Sequence, residues 1–434
     1  MTDDEQSQRL RVLVLADVCN PDWPSLPVVG YKYARALSRH AETVVVTQVR
    51  NRPNIERDGL GAARVVYLDT EKIAAPMYRA AEFLRKGSGT GWTIQMAMDY
   101  PGYLAFEKAV WRIFRADLKA GLFDLVHRIT PMSPTLPSYL PRRCPVPFVL
   151  GPLNGNLPWP PQFTAELKRE REWFSVFRRF YKVLPYVRST YACSGAILAA
   201  FDHTMRDLPA ATLPKAFNFP EVGIDPELFS MPERPRRTRQ TILYAGRLVP
   251  YKLPEVVIRA FASSSSLRRH RLVIVGDGPE RPRLESLVRD QGLGDCIEFL
   301  GQKTQTEVGR LMRESEIFAF PSIRELGAGV VVEAMACGMA CVVVDYGGPA
   351  TLIDSDRGAK VELGTLDELV GRFARELESL AADPDRVATL GRAAHRHAMA
   401  HYAWDAKARK TVEIYRWLLG RVSEKPRFWD AVAI

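Results

Sequence analysis

The chain has 434 residues, which is long for one ordinary hydrophobic core, so two domains are expected rather than one. Hydrophobic residues make up 47% of it and charged residues 25%, an ordinary composition for a globular protein. The net charge of +10 suits an acidic partner, and nucleic acid, anionic lipid headgroups and nucleotide diphosphates all qualify.

The cysteines and the apolar runs exclude two further classes of protein. The six cysteines contain no C-x-x-C pair and no finger-like spacing with histidine, so no structural metal site is expected. The first residues, Met-Thr-Asp-Asp-Glu, are too polar for a signal peptide, and no apolar run reaches membrane-spanning length. We therefore expect a soluble, cytoplasmic protein with reduced cysteines.

The first half of the chain alternates between apolar runs and amphipathic segments, which is typical of a parallel α/β sheet. Strands are predicted at residues 9–16, 43–47, 123–128, 188–194 and 215–219, and one more within 145–155. Helices are predicted at residues 28–40, opened by Gly30, and at 74–86 and 101–119, with a flexible Gly-Ser break at 87–91. His127 is expected at the carboxyl end of its strand, where parallel sheets bind ligands.

Residues 163–184 combine basic side chains with large aromatic ones. Helices of this kind lie on anionic membranes, which would place the protein peripherally on the inner face of a membrane. A surface helix whose apolar stripe packs on the first sheet explains the same pattern, and we favour that interpretation.

The second half is more regular, and most of its predicted strands end at residues that can bind a ligand. Strands are predicted at residues 240–245, 271–275, 296–301, 317–320 and 341–344, after a Pro/Arg-rich linker at 231–239 and before a final helix at about 404–421. Four of these strands lead into Arg247, the Gly276 turn, Gly301 and Glu325. Because the carboxyl ends of parallel strands share one edge, these residues should converge on one crevice.

The side chains expected at this edge suit a ligand with phosphate groups and sugar hydroxyls. Arg247 offers paired donors to phosphate oxygens, and Lys252 adds a second positive charge. Glu333, one turn into the helix after the Glu325 loop, is placed to accept two hydrogen bonds from ribose hydroxyls. Glu325 itself could reach a sugar hydroxyl beyond the phosphates.

Glu325 and Glu333 are separated by seven residues and followed by Ala-Met-Ala-Cys-Gly. They resemble the paired-glutamate motif of retaining, nucleotide-sugar-dependent glycosyltransferases of the GT-B fold, and more narrowly of family 4, the glycosyl transferases group 1. This resemblance implies two Rossmann-like, doubly wound α/β domains that face each other across a cleft, with a C-terminal helix crossing back to the first. The implied acceptor domain is residues 1–225 with about 415–434, and the implied nucleotide-sugar domain is residues 226–414.

The resemblance also implies roles for individual residues. Arg247 and Lys252 match the family's Gly-Arg-Leu-x-x-x-Lys motif, which grips the donor diphosphate, and with Glu325 and His127 they make up the implied catalytic set. Asn154 and Gly155 match a Gly-Pro-x-x-Gly element that faces the cleft. The implied donor-binding residues are Glu333, Gly30, Gly246, Gly276, Gly278, Gly301, Lys303, Leu326, Gly327, Ala328, Gly329 and Val330.

The implied activity moves a sugar, with retention of configuration, from a UDP- or GDP-sugar to a hydroxyl of a saccharide or glycolipid acceptor. No metal or other cofactor is required, since Asp354-Ser-Asp356, which spells the D-x-D of another glycosyltransferase fold, lies in a turn-rich stretch. Three alternatives stay open: a nucleotide-sugar epimerase or hydrolase of the same fold, a non-catalytic sugar-nucleotide sensor, and a nucleic-acid-binding protein. The sequence contains no RNA- or DNA-reading motif, so nucleic acid is not the expected partner.

Overall fold

The computed structural model describes residues 9–72, 76, 92–164, 166, 183–233 and 239–428. Several predictions lie wholly or mostly outside these residues: the helix at 74–86, the Gly-Ser break at 87–91, the basic and aromatic segment 163–184 and the linker at 231–239. The described residues divide into two compact units, each built on one parallel sheet.

The first unit contains the described residues up to Asn156, those from 183 to Glu221, and those from Trp404 onward. Its strands are β1 (Arg11–Ala16), β2 (Glu42–Gln48), β3 (Arg64–Leu68), β4 (Leu125–Thr130), β5 (Phe148–Leu153), β6 (Ala196–Ala199) and β7 (Ala216–Asn218). They form one parallel sheet in the order β3-β2-β1-β4-β5-β6-β7. The order reverses between β1 and β4, and open α/β sheets bind ligands at such a switch point.

The helices of the first unit connect these strands and cover the sheet. They are α1 (Leu26–Leu37), α2 (Arg52–Asp58), α3 (Trp92–Lys119), α4 (Val187–Cys193), α5 (Phe201–Asp207) and the closing helix (Trp404–Leu418). The closing helix packs on α1, where the Tyr33 hydroxyl and Thr411 Oγ1 lie 2.6 Å apart. The strands β4 and β5 are buried throughout, which explains why β5 appears in the sequence as an apolar run, whereas β4 also buries the polar side chains of His127, Arg128 and Thr130.

The strand predicted at residues 188–194 is wrong, because these residues form most of α4. Thr190 Oγ1 donates to the Tyr186 carbonyl at 2.8 Å, and Ser194 Oγ donates to the Thr190 carbonyl at 2.6 Å. Hydroxyl groups bonded to the carbonyl four residues earlier are compatible with a helix. The buried strand is instead the shorter apolar run of β6 that follows.

The second unit contains residues 157–164, residue 166 and the described residues from Val222 to Ala403. Its strands are β8 (Thr241–Ala245), β9 (Arg271–Val275), β10 (Ile297–Gly301), β11 (Ile317–Phe320), β12 (Ala340–Val344) and β13 (Gly358–Val361). They form a parallel sheet in the order β10-β9-β8-β11-β12-β13, which again reverses beside its first strand. The five strands predicted in this half are confirmed, and β13 is an addition.

The helices of the second unit also alternate with the strands. They are α6 (Pro254–Ser263), α7 (Arg281–Asp290), α8 (Gln305–Arg313), α9 (Gly329–Ala336), α10 (Gly347–Leu352), α11 (Leu366–Ala381) and α12 (Pro384–Tyr402). A capping box formed by Thr304 and Glu307 begins α8, and a second one begins α11. These caps satisfy the first backbone N–H groups and define where each helix starts.

The units do not divide where the sequence analysis expects. The second unit begins at Val222 rather than at residue 226, and the whole closing helix lies in the first unit rather than only its part from residue 415. Residues 157–164, from the first half of the sequence, lie in the second unit. Among the described residues, no helix combines the length and the apolar character needed to cross a membrane.

Candidate functional site

The carboxyl ends of the central strands of the second sheet lie side by side. The β8 strand lies between β9 and β11, and β9 pairs with β10. Gly246 N donates to the Val275 carbonyl at 2.9 Å, and Gly276 N donates to the Gly301 carbonyl at 2.8 Å. The predicted convergence of these strand ends on one edge is therefore confirmed.

Gly276 and Gly278 are required by the close approach of neighbouring backbone. Gly276 has a φ of +129°, and a Cβ atom there would lie 2.0 Å from the Gly246 carbonyl oxygen. A Cβ atom on Gly278 would lie 2.4 Å from the Leu248 carbonyl oxygen. Both distances are far inside van der Waals contact, so these glycines let the loop after β9 lie directly against the loop after β8.

Lys252 and Glu325 form an ion pair at this edge. Lys252 Nζ lies 2.6 Å from Glu325 Oε1, and the two side chains are only 12% and 15% exposed. Ser322 Oγ donates to the same carboxylate oxygen at 3.1 Å, and Nζ lies 5.1 Å from the ring centroid of Phe320. Because partly buried pairs are screened much less than exposed ones, these two charges act strongly on each other and on a ligand beside them.

Arg247 is exposed, and its Nη2 donates to the Tyr251 hydroxyl at 2.8 Å. Tyr251 is in turn tied to the Glu325 loop, since its carbonyl accepts from Ile323 N at 3.0 Å and from Ser322 Oγ at 3.4 Å. A guanidinium group has five N–H donors, so a single hydrogen bond to a phenol leaves several for an anion.

The loops at this edge contain two unusual backbone conformations. Leu253 and Ala328 are left-handed, with φ values of 45° and 49°, and each is the residue just before a helix, α6 and α9 respectively. This conformation costs a non-glycine residue about 1–2 kcal/mol and is concentrated at functional sites. Gly348 N also donates to the Glu325 carbonyl at 2.9 Å, so the Glu325 loop is held by the turn after β12.

Glu333 lies in α9 and contacts the loop region after β10. Its Oε1 accepts from Gln305 Nε2, the first residue of α8, at 3.3 Å. Lys303 lies in the same loop region, and its Nζ is 3.8 Å from Glu307 Oε1. The structure thus brings Lys252 together with Glu325, and Glu333 together with the elements that follow Gly301.

His127 lies inside the first unit, in the middle of β4, because this strand continues beyond the predicted end to Thr130. Its Nε2 donates to the Gly151 carbonyl at 2.7 Å, so Nδ1 accepts from the Tyr415 hydroxyl at 2.5 Å. Burial lowers the pKa of His127 to about 3 and keeps the ring neutral. The histidine therefore links the sheet to the closing helix.

Gly30 lies in the second turn of α1 and does not open it, since the helix begins at Leu26. A Cβ atom on Gly30 would lie 2.5 Å from the Val18 carbonyl oxygen. The glycine therefore lets α1 pack closely against the loop that follows β1.

A polar cluster follows the strands β5, β6 and β7. Asn154 Nδ2 donates to Glu221 Oε1 at 2.6 Å, and His203 Nε2 donates to Asn154 Oδ1 at 3.1 Å. Burial raises the pKa of Glu221 and lowers that of His203 to about 4. Asn154 is a predicted candidate. The sequence analysis missed the other two, because a lone histidine and a lone glutamate carry no signal in one sequence.

Asp354 lies in a turn, as predicted, where Arg357 Nε donates to its Oδ1 at 3.0 Å. Within the part of the chain that the structure describes, no group of three or more His, Cys, Asp and Glu residues is arranged to hold a metal ion.

Solved structures share the fold of this protein over almost the whole chain. Sucrose-phosphate synthase from Thermosynechococcus elongatus is similar with a TM-score of 0.61 and 17% identity, over 95% of this chain and 100% of that chain. Anabaena Alr3699/HepE in complex with UDP and glucose is similar with a TM-score of 0.57 and 16% identity, over 93% and 99%. The protein shares the fold of these structures, the GT-B fold.

The sequence of the second unit is similar to known glycosyltransferases. Residues 228–397 match the family described as Glycosyl transferases group 1. The D-inositol 3-phosphate glycosyltransferase of Gordonia bronchialis is 34% identical over 174 residues, which cover 38% of this chain and 37% of the relative. The chain spans less than half the length of the first curated relatives that it matches.

Proposed function

We propose that the protein is a retaining glycosyltransferase that moves a sugar from a UDP- or GDP-sugar to a hydroxyl group of a saccharide or lipid-linked acceptor. The observation that carries the proposal is the Lys252–Glu325 ion pair beside Arg247, at the carboxyl edge of the second sheet. The group 1 match of residues 228–397 and the fold of the whole chain support it.

In this proposal Arg247 and Lys252 stabilise the departing nucleoside diphosphate. As the bond between the anomeric carbon and the phosphate oxygen breaks, negative charge grows on that oxygen. Fixed positive groups in a shielded site stabilise this charge more in the transition state than in the ground state. Arg247 supplies paired N–H donors and Lys252 a compact charge, so the reaction needs no metal ion.

Glu325 positions the transferred sugar. Its Oε1 is bound by Lys252 and Ser322, which makes it a poor nucleophile towards the anomeric carbon. We assign it instead to a hydroxyl group of the sugar. The acceptor hydroxyl then attacks from the face from which the diphosphate departs and gives its proton to the departing phosphate oxygen, and the configuration is retained.

The other predicted residues hold the donor around this centre. Glu333 accepts hydrogen bonds from the ribose hydroxyls. The backbone of the strand-end loops binds the phosphates and the base, through Gly246, Gly276, Gly278, Gly301, Lys303, Leu326, Gly327, Ala328, Gly329 and Val330. His127 and Gly30 support the first unit from within, because both are buried against its backbone.

The acceptor is a hydroxyl-rich molecule in this proposal. The D-inositol 3-phosphate named for the relatives is a polyol with a phosphate group. In this chain the cluster of Asn154, His203 and Glu221 at the carboxyl edge of the first sheet offers amide, imidazole and carboxyl groups for acceptor hydroxyls.

A thermal-shift screen against UDP-, GDP-, ADP- and dTDP-sugars, without added metal, tests the donor site. We expect one nucleotide class to raise the melting temperature and Glu333→Ala to abolish most of that rise, because a bound ligand stabilises only the folded state. Glu362→Ala is the matched control, since this carboxylate of the second unit is 83% exposed.

An unchanged shift in Glu333→Ala would refute the ribose assignment alone. The absence of any shift in the wild-type protein, together with a shift by oligonucleotides, would refute the proposed function and favour a nucleic-acid-binding protein. Release of free sugar without an acceptor would favour the hydrolase alternative.

A further inference from the structure

A short segment from the first half of the sequence lies against the edge of the second sheet. Residues 157–160, here called the strap, follow the loop after β5 but belong to the second unit. The Tyr346 hydroxyl donates to the Pro158 carbonyl at 2.9 Å. Leu157 packs closely on Gly347, because a Cβ atom added to Gly347 would lie 2.9 Å from Leu157 Cδ2. The strap is thus anchored to the turn that also holds the Glu325 carbonyl.

Trp159 is the central side chain of the strap. The Arg324 guanidinium lies 4.9 Å from its ring centroid, and the Tyr251 ring meets it edge to face at 6.4 Å. Arg324 directly precedes Glu325, and Tyr251 directly precedes Lys252. The half-buried indole is therefore fixed by the two loops that carry the ion pair.

We propose that Trp159 determines which sugar the protein accepts, by carrying the C–H face of the transferred pyranose on its indole ring. This inference rests on the proposed function. A large aromatic ring offers apolar contact area at a low cost in conformational entropy, and its two neighbours reduce that cost further. A hydroxyl directed at the ring would be desolvated without a partner, so the platform selects sugars by the orientation of their hydroxyl groups.

Trp159 contacts the loops that are assigned to the diphosphate and the sugar. The groups assigned to the ribose and the base, Glu333 and Gly301, belong to α9 and the end of β10. The partners of Trp159 belong instead to the loops of Lys252 and Glu325. Loss of the indole should therefore weaken the binding of a nucleotide sugar and spare the nucleoside diphosphate. A tryptophan that only stabilises the fold would not produce this difference.

The experiment compares two affinities in each variant by isothermal titration calorimetry, with UDP against UDP-glucose and GDP against GDP-mannose. For Trp159→Leu, which keeps apolar bulk but removes the ring, we expect the nucleotide-sugar Kd to rise about tenfold. The nucleoside diphosphate Kd should stay within about twofold, well under the 1.4 kcal/mol that a tenfold change represents. Trp159→Phe should recover most of the loss, because it restores an aromatic face.

Trp23→Leu is the matched control, because Trp23 lies in the first unit and is 38% exposed. The inference is overturned if Trp159→Leu weakens diphosphate and nucleotide sugar equally, or weakens neither, while the wild-type protein binds both. If Trp159→Leu does not fold, Trp159→Met takes its place with the same expectations, and a folded Trp159→Met protein that binds UDP-glucose and UDP as the wild type does overturns the inference. A wild-type protein that binds no nucleotide sugar refutes the proposed function itself.

Discussion

At the scale of single residues, Lys252 supplies a positive charge of the candidate site that is mostly shielded from water. It pairs with Glu325 at 2.6 Å and is 12% exposed, so a diphosphate beside it meets a charge that water screens poorly. We expect Lys252→Met to lower the rate of nucleoside diphosphate release from a nucleotide sugar by about 10²–10³-fold, the usual effect of removing one group that stabilises developing charge. A coupled assay of diphosphate release measures this rate.

The matched control is Lys360→Met. Lys360 also belongs to the second unit and pairs with a carboxylate, Asp345, at 3.3 Å, but it is 38% exposed. Its replacement should leave the rate within about twofold, as expected for a surface ion pair. A Lys252→Met protein that is folded and keeps more than half of its turnover would remove Lys252 from the proposed mechanism.

Residues that follow a predicted strand could be placed from the sequence, and residues brought in from elsewhere could not. Arg247, Lys252 and Glu325 follow apolar runs, and the rule that parallel strands end at one edge is enough to group them. Trp159 lies far from them in the sequence, in a loop of the first half. Its contact with Arg324 depends on tertiary packing, which no local pattern encodes.

At the scale of elements, the closing helix contains a fully buried lysine. Lys407 Nζ donates to the Pro220 carbonyl and lies 4.3 Å from the ring centroid of Phe219. The titratable groups that face it are Glu221, in the segment after β7, and Tyr33 of α1. Burial lowers the pKa of Lys407 to about 7, while Glu221 opposes that shift. The helix is therefore held partly by a group that titrates near neutral pH.

Lys407 should make the stability of the protein depend on pH above neutrality. Between pH 7 and its ordinary pKa of 10.5, the unfolded chain binds a proton at Lys407 that the folded chain does not. The contribution of this lysine to the free energy of unfolding therefore rises with pH across that window, by about 1 kcal/mol per pH unit. Urea denaturation of wild type and Lys407→Met at pH 6.5, 8 and 9.5 measures this contribution. We expect the free energy of unfolding of the wild type to rise relative to that of Lys407→Met as the pH rises.

Gln in place of His127, which is equally buried in the first unit, provides the comparison. Burial lowers the pKa of His127 from 6.5 to about 3, so at pH 8 and 9.5 the ring is neutral in both the folded and the unfolded chain. His127→Gln should therefore shift stability by the same amount at pH 8 and at pH 9.5. If wild type and Lys407→Met respond identically to pH, Lys407 is not the titrating group.

Most strands could be predicted because they are buried on both faces, as the apolar runs of β8, β11 and β12 indicate. The helix α4 was the exception. Its sequence, Val-Arg-Ser-Thr-Tyr-Ala-Cys, is rich in residues that favour strands, and tertiary context outweighs that propensity. Short segments of this kind cannot be assigned from periodicity alone.

At the scale of the whole molecule, the division into units follows packing rather than composition. The chain passes from one unit to the other at Asn156–Leu157, at Glu221–Val222 and at Ala403–Trp404. None of these steps coincides with the Pro/Arg-rich stretch that the sequence analysis takes as the linker. Two helices joined directly at Ala403 belong to different units, so a change of composition was a poor guide to the boundary.

The net charge of +10 leads to the last prediction, because it is the observation that favours a nucleic-acid partner. Much of the basic charge is paired locally, as in the helical pairs Arg52–Glu56, Arg310–Glu314 and Arg409–Asp405. Attraction of exposed charges to an oligonucleotide is screened beyond about 8 Å at 0.15 M salt. In fluorescence anisotropy, a single-stranded oligonucleotide of about 20 nucleotides should therefore bind the protein only at low salt and be released by about 0.2 M NaCl.

Nucleotide-sugar binding should respond to salt quite differently, because Lys252 and Glu325 are mostly shielded from solvent. Over the same range we expect its Kd to change by less than about threefold. If an oligonucleotide binds tightly at 0.15 M NaCl and a nucleotide sugar displaces it, the conclusion that nucleic acid is not the partner is wrong. Such a result would mean that the edge of the second sheet binds phosphates of a nucleic acid, and that the ion pair serves a binding protein rather than an enzyme.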